Sequence, residues 1–165
     1  MATETRPKTS STEVADGLNH LIALAADLRS QVKQAHWTVV GPNFIALHHL
    51  FDDEAAILLA HVDLFAERVR ALQSIPRGTV RAAAEQSPLD ELPIEEIPEE
   101  EAVRAILERF EAYSEALGDG MDTTDAADDL ATQDIYIEAR RDVDLHAYFL
   151  RSHLPDGGRS RSRGR

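Results

Sequence analysis

Apolar residues recur along most of the chain at alternating steps of three and four, which is the period of a helix with one buried face. The first such segment predicts helix A, from a Ser10–Glu13 pair with capping-box spacing to about His36. Its core-facing positions are Val14, Leu18, Leu21, Ala25, Leu28, Val32 and Ala35. The Gly-Pro-Asn break at 41–43 ends this helix, and the same period then predicts helix B over about 43–73.

Two further helices are predicted in the second half of the chain. Helix C begins at Pro98, where the glutamates that follow suit the positive end of a helix, and it weakens at Gly118 and Gly120. Its apolar positions are Val103, Ile106, Leu107, Phe110, Tyr113 and Leu117. Helix D runs over about 124–154 and ends before Pro155.

The connection between helices B and C is long. Residues 74–96 contain several prolines, and 80–86 is predicted to form a short helix among them. Four helices with one long crossover predict an all-α protein with the connectivity of the ferritin-like four-helix bundle. The predicted divisions are a flexible N-terminal tail over 1–10, the bundle over 11–154 and a flexible Arg-rich C-terminal tail over 155–165.

Composition narrows the classes of function. The 165 residues include no cysteine, which excludes disulfides, iron–sulfur clusters, thiolate zinc sites and cysteine nucleophiles. Apolar runs fall far short of the roughly 20 residues that span a bilayer, and the N-terminus lacks a signal-peptide core. We therefore expect a cytoplasmic protein with no membrane partner. The net charge of −13 favours cations as ligands.

Four polar residues, His48, Asp52, Asp63 and Glu67, form one stripe on helix B. Residues four apart share a face, and the eleven positions from Asp52 to Asp63 make about three turns. The two pairs thus lie roughly 16 Å apart, too far for one ion with ligands at roughly 2.0–2.6 Å. Two antiparallel copies about a two-fold axis would bring the His/Asp pair of one chain opposite the Asp/Glu pair of the other, giving two metal sites per dimer.

A solvated charged face is the alternative interpretation of this stripe. Apolar residues surround it, so we expect the stripe to be at least partly buried, and buried carboxylates need a partner such as a cation. These neighbours are Phe44, Ile45, Leu47, Leu50, Phe51, Ile57, Leu58, Val62, Phe65, Val69 and Leu72. The Glu-x-x-His motif that holds metal inside ferritin-like bundles does not occur in the sequence. The expected metal site therefore lies at a subunit interface.

Two segments resemble signatures of the Dps family, the ferritin-like mini-cages called DNA-binding proteins from starved cells. They are KQAHWTVVGPNFIALH at 33–48 and HVDLFAER at 61–68. The segment at 141–144 and the aromatic stretch after it are also similar, so the resemblance extends from helix A to the end of helix D. It implies a ferroxidase site across a dimer interface, whose catalytic iron ligands are His36, His48, Asp52, Asp63 and Glu67.

The resemblance also implies an assembly and a reaction. The assembly is a hollow dodecamer built from two-fold dimers. It binds Fe(II), with room for two ions at each site, oxidises it preferentially with hydrogen peroxide and stores ferric mineral inside, which protects DNA from oxidative damage. Because two irons give up two electrons together, peroxide is reduced to water without releasing a hydroxyl radical. The protein supplies imidazole and carboxylate ligands and leaves positions open for the oxidant.

Several residues near the ligands are further candidates. Lys33 and Trp37 are predicted to support the iron ligands, although Trp37 has an alternative assignment to the core. Thr38 stands where many relatives have asparagine, at a position that is not a ligand. His49 and His61 lie off the stripe, and we assign them to surface or interface packing rather than to iron.

Iron must also reach the interior of the cage. Acidic residues cluster near the predicted start of helix D, where the family places them around three-fold pores. Asp125 and Asp134 are the preferred pore residues by local similarity. The alternative is favourable charge at a helix N-terminus, which suits Asp125 better than Asp134.

The C-terminal tail gives a second hypothesis. Residues 155–165 carry a net charge of +3 through Arg159, Arg161, Arg163 and Arg165, which leaves −16 on the rest. Many such tails on one cage could bind DNA through summed phosphate contacts, making the protein nucleoid-associated with iron chemistry secondary. A third interpretation is a helical scaffold with a purely structural interfacial metal, zinc among the candidates.

Overall fold

The computed structural model describes residues 10–157. Within that range the chain forms four long helices, one short helix and two strands of two residues. Their bounds are α1 Ser11–Thr38, β1 Val39–Val40, α2 Phe44–Ala71, α3 Val80–Gln86, β2 Ile97–Pro98, α4 Glu99–Ala127 and α5 Leu130–Ser152. The predicted four-helix bundle, with a short helix inside a long crossover, is confirmed.

The packing of the helices follows chain order. α1 packs along α2, α4 packs along α5, and α1 also contacts α4. β1 pairs in parallel with β2, a contact that the sequence period did not predict. Beside it the Glu99 carboxylate accepts hydrogen bonds from the Asn43 backbone N–H at 2.9 Å and the Asn43 side-chain amide at 3.0 Å. α2 and α4 therefore begin at one corner, which is why the crossover between them is long.

Side chains from all four long helices fill the core. The largest fully buried ones are Phe51, Phe65, Phe110, Tyr113 and Tyr136. Gly120 is needed where α4 meets the Tyr136 ring, because a Cβ there would lie 2.8 Å from Tyr136 Cε2. Glycine inside a helix costs about 1 kcal/mol relative to alanine, so this close packing offsets a local penalty.

The predicted boundary between helices C and D is wrong. α4 continues through both glycines to Ala127, because Gly120 accommodates a ring instead of ending the helix. Asp128 then ends α4 in the left-handed conformation, with φ 59°. α5 begins at Leu130 rather than near residue 124, with the Asp129 side chain as its N-cap.

The two predicted tails fall mainly outside the described range. Ser10 caps α1 through both hydrogen bonds of the predicted capping box. The tail arginines Arg159, Arg161, Arg163 and Arg165 lie beyond residue 157. Among the helices within 10–157, none is long and apolar enough to cross a membrane.

Candidate metal centre

Two histidines on neighbouring helices form the centre of the candidate site. His36 lies in the last turn of α1, and His48 lies near the start of α2. Their rings stack with centroids 3.7 Å apart and planes inclined by 20°. His36 Nδ1 lies 2.7 Å from the His48 carbonyl oxygen, and His48 Nδ1 lies 2.9 Å from the His36 carbonyl oxygen. The chain reversal at 41–43 brings the two residues together.

These reciprocal hydrogen bonds fix the donor chemistry of both rings. A carbonyl oxygen only accepts, so each Nδ1 carries the proton, and in the neutral ring Nε2 keeps its lone pair. Nothing within 10–157 forms a hydrogen bond with either Nε2. A backbone carbonyl behind the ring is the usual way in which proteins orient a metal-binding histidine. His36 and His48 can therefore each offer an Nε2 lone pair to a metal ion.

Asp52 lies beside this pair, one turn after His48 on α2. Lys33 Nζ donates to Asp52 Oδ1 at 2.6 Å. That hydrogen bond and the Lys33 charge hold the pKa of Asp52 below its ordinary value, and the two histidines act in the same direction. The Lys33 ammonium also lies 5.6 Å from the centre of the Trp37 ring. Trp37 is 66% exposed, so its alternative assignment to the core of this chain is wrong.

Asp63 and Glu67 continue the stripe towards the C-terminal end of α2. Both residues are exposed, and neither forms a hydrogen bond or ion pair with another residue of the described range. No group of three or more His, Asp and Glu side chains within 10–157 is placed to hold a metal ion. In a single chain the two halves of the stripe are thus separate groups.

The expected burial of the stripe is wrong for the single chain. Asp52, Asp63 and Glu67 are exposed, and His48 is half-buried. Five of the apolar residues that suggested burial face the opposite way and lie in the bundle core, whereas Phe44 and Ile45 are exposed. The five are Leu47, Phe51, Leu58, Phe65 and Val69. The polar stripe therefore lies on the outer face of α2.

The inner face of α2 carries a second polar group, which sequence reasoning missed. His61 is only 3% exposed and lies between Tyr113 on α4 and Asp142 on α5, so its assignment to the surface or an interface is wrong. Glu54 is fully buried, and neither of its carboxylate oxygens has a hydrogen-bond partner. Burial raises the pKa of Glu54 to about 7, while His146, 3.8 Å away, opposes the rise. The available signal was spacing: Glu54 and His61 lie seven apart on one helical face.

The predicted pore residues lie on two different helices. Asp125 is exposed in the last turn of α4, and Asp134 is exposed on α5. The alternative for Asp125, favourable charge at a helix N-terminus, is wrong because it lies at a C-terminus. Asp129 has that role instead: it caps α5 and accepts a hydrogen bond from Arg68 at 2.9 Å.

Comparison with known proteins defines the class first. Residues 15–159 match the family described as Ferritin-like domain, so this is a ferritin-like protein. A DNA protection during starvation protein of Agrobacterium fabrum is 33% identical over 150 residues, covering 91% of this chain and 93% of the relative. The chain therefore belongs to the Dps family of ferritin-like proteins.

Solved structures agree with that assignment. A Dps from Microbacterium arborescens in the high iron form has a TM-score of 0.83 at 32% identity, covering 93% of this chain and 99% of that one. A Dps from Staphylococcus aureus has a TM-score of 0.84 at 28% identity, covering 88% and 97%. The ferritin-like fold predicted from the helix pattern is confirmed.

Proposed function

We propose that this protein is a ferroxidase and iron store. It binds Fe(II) at sites shared between two subunits, oxidises it preferentially with hydrogen peroxide and keeps the ferric product inside a hollow dodecamer. The observation that carries the proposal is the His36–His48 pair, whose Nδ1 atoms are held by backbone carbonyls beside the Asp52 carboxylate. Neutral imidazole and carboxylate are ligands suited to iron.

The second half of each site comes from the partner subunit in this proposal. Asp63 and Glu67 are exposed on the same outer face of α2 and have no partner within the described range. An antiparallel two-fold pairing of α2 would place them opposite the histidine pair, and the two-fold axis would repeat the arrangement. Two sites per dimer follow, each with His36, His48, Asp52, Asp63 and Glu67 as ligands.

The proposed reaction uses both electrons together. Two Fe(II) ions become two Fe(III) ions, and one hydrogen peroxide with two protons becomes two waters. Lys33 orients the Asp52 carboxylate through the 2.6 Å hydrogen bond, and the exposed Trp37 ring lies 5.6 Å from the Lys33 ammonium. We assign iron passage into the cage to Asp125 and Asp134, whose carboxylates are exposed near the α4–α5 corner.

The test is anaerobic loading of the metal-free protein with Fe(II), followed by stoichiometric peroxide and ferric absorbance. Wild type should oxidise iron rapidly, and Asp52→Ala should lose the rapid phase. Asp53→Ala is the matched control, because Asp53 is an exposed carboxylate one position along the same helix. Equal slow oxidation in wild type and Asp52→Ala would remove the proposal. Metal binding without oxidation would favour the structural-metal interpretation.

DNA binding is the second candidate function, favoured by the basic tail. Arg159, Arg161, Arg163 and Arg165 end an otherwise acidic chain. Several tails on one cage would bind phosphates together and place the protein on the nucleoid. Retention on DNA should fall steeply with salt and be lost when 159–165 are deleted; retention unchanged by the deletion would refute tail-mediated binding.

A further inference from the structure

A chain of three hydrogen-bonding residues crosses the bundle from α4 through α2 to α5. The Tyr113 hydroxyl lies 3.2 Å from His61 Nδ1. His61 Nε2 lies 3.2 Å from Asp142 Oδ2. Tyr113 is fully buried and His61 almost so, whereas the Asp142 side chain is 45% exposed. The chain therefore connects the middle of the core to solvent through one imidazole.

The partners decide where each proton lies. The Asp142 carboxylate only accepts, so His61 Nε2 carries a proton and donates it. In the neutral ring Nδ1 then has a lone pair, and the phenol 3.2 Å away is a group that can donate to it. The Tyr113 hydroxyl therefore donates to Nδ1. Burial raises the pKa of Tyr113 well above its ordinary value, so the side chain is a neutral phenol.

Tyr136 provides a comparison inside the same core. It is as buried as Tyr113, yet its hydroxyl has no hydrogen-bond partner among residues 10–157. The remaining tyrosine, Tyr148, is 58% exposed and likewise forms no such bond within that range. A phenol hydrogen-bonded to an imidazole can pass its proton directly to that base as it loses an electron. By that criterion Tyr113 differs from both other tyrosines.

The position of this chain relates it to the outer stripe. His61 and Asp63 lie two residues apart on α2, one facing the core and the other exposed. A helix with its side chains is roughly 10–12 Å across, so little more than the width of α2 separates Tyr113 from the outer face. That is close enough for an electron to pass without a conformational change.

We propose that Tyr113 is a redox-active tyrosine that traps one-electron oxidants formed at the outer face of α2, with His61 receiving its phenolic proton. The source of the oxidant rests on the proposed function: Fe(II) and peroxide that react one electron at a time give a hydroxyl radical. Asp142 is a positioning residue, which keeps the proton on Nε2 and stabilises the imidazolium.

The step balances in atoms and electrons. The Tyr113 O–H bond breaks, an N–H bond forms at His61 Nδ1, and the electron reduces the hydroxyl radical to hydroxide. A tyrosyl radical and an imidazolium beside the Asp142 carboxylate remain. An electron from a further Fe(II), which becomes Fe(III), and the proton returning from Nδ1 restore the phenol. The trap thus converts an escaped radical into one more oxidised iron.

The first experiment works without iron. A ruthenium photosensitiser oxidised by a light flash supplies a one-electron oxidant to the metal-free, full-length protein, and electron paramagnetic resonance of the frozen sample reports the radical. We expect a tyrosyl signal coupled to an exchangeable hydrogen-bond proton. Tyr113→Phe should abolish it, and Tyr136→Phe, the matched control, should retain it. His61→Gln keeps an acceptor but removes the base, so the radical yield should fall while the helical circular dichroism stays unchanged.

The second experiment adds Fe(II) and peroxide to the same variants. The same radical should appear in wild type, and Tyr113→Phe should remove it without slowing iron oxidation. If iron oxidation fails but the flash signal depends on Tyr113, the proposed function is lost and the redox site stands. A signal that persists in Tyr113→Phe, that lies on Trp37, or that never forms while iron is oxidised normally would overturn the inference. If Tyr113→Phe does not fold, His61→Gln decides: a tyrosyl signal with unchanged yield and unchanged proton coupling in that variant would overturn the inference.

Discussion

The two faces of α2 carry similar residue types in opposite surroundings. On the outer face Asp52 is exposed, and Lys33 holds its pKa below the ordinary value. On the inner face, two residues later, Glu54 is fully buried and its pKa rises to about 7. The Asp52 carboxyl is therefore ionised at neutral pH, while about half of the inner Glu54 carboxyl is protonated there. Burial rather than residue type separates Asp52, a proposed ligand, from Glu54, a core residue.

Mixing subunits of two inactive variants tests whether each site on the outer face is shared between two chains. Asp52→Ala and Glu67→Ala should each abolish rapid iron oxidation alone. Each site takes Asp52 from one subunit and Glu67 from the other. In a dimer of one Asp52→Ala subunit and one Glu67→Ala subunit, one site therefore carries both substitutions and the other site carries neither. Random reassembly should restore about a quarter of the sites. Ferric absorbance after refolding the mixture measures this recovery.

The control is a second mixture, in which Asp52→Ala subunits are reassembled with subunits of the double variant Asp52→Ala/Glu67→Ala. Every site then lacks Asp52, so no activity should return. Recovery in this control, or none in the first mixture, would contradict a site shared between subunits.

Glu54→Gln tests the inner face of α2 through the pH dependence of the free energy of unfolding. The raised pKa means that the folded state holds the proton more tightly than the unfolded state, so this contribution is complete below pH 4.5 and is lost as pH rises through about 7. The loss is on the order of 3 kcal/mol. Thermal midpoints of wild type should therefore fall across that window relative to Glu54→Gln, at equal protomer concentration.

His61 contributes with the opposite sign. Its lowered pKa gives stability that is present above pH 6.5 and lost as pH falls through the folded pKa. The difference between wild type and Glu54→Gln isolates the carboxyl, because both proteins retain His61. A constant difference across pH 4.5–7 would mean that Glu54 is not buried as a neutral acid.

The two glycines of α4 also differ in their surroundings: Gly120 is closely packed, and Gly118 has room for a Cβ beside it. A Cβ at Gly120 would meet Tyr136 Cε2 at 2.8 Å, whereas at Gly118 the nearest atom is an Arg140 nitrogen at 3.6 Å. Gly120→Ala should cost about 1–3 kcal/mol through overpacking. Gly118→Ala should be neutral or stabilising by about 0.5–1 kcal/mol through helix propensity. Equal thermal midpoints for the two variants would refute the role of Gly120.

Sequence reasoning located the helices and the outer stripe because both depend on a local period. Helix A and the short crossover helix agree with α1 and α3 within a few residues. It failed where a distant contact decides, as at Gly120, whose partner Tyr136 belongs to the next helix. It also misjudged His61, because a histidine off one stripe can equally face solvent or the core, and only the positions of Tyr113 and Asp142 decide. The ligand roles remain predictions.

The smallest expected effect is a difference in stability between two substitutions at the α4–α5 corner. One removes Asp129, which has partners in the chain, and the other removes Asp125, an exposed carboxylate. Asp129 caps α5 through the Thr132 N–H and pairs with Arg68, and the hydrogen bonds from Thr132, together with those from Arg68, hold its pKa below the ordinary value. Asp129→Ala should cost about 1 kcal/mol, mainly through the lost cap, and lower the thermal midpoint. Asp125→Ala, which removes an exposed carboxylate at the end of α4, should leave stability unchanged but slow iron uptake if the pore assignment holds. A midpoint lowered equally by both changes would mean that the α4–α5 corner is stabilised by its acidic residues as a group. Asp125 would then lose its claim to a separate role in iron passage.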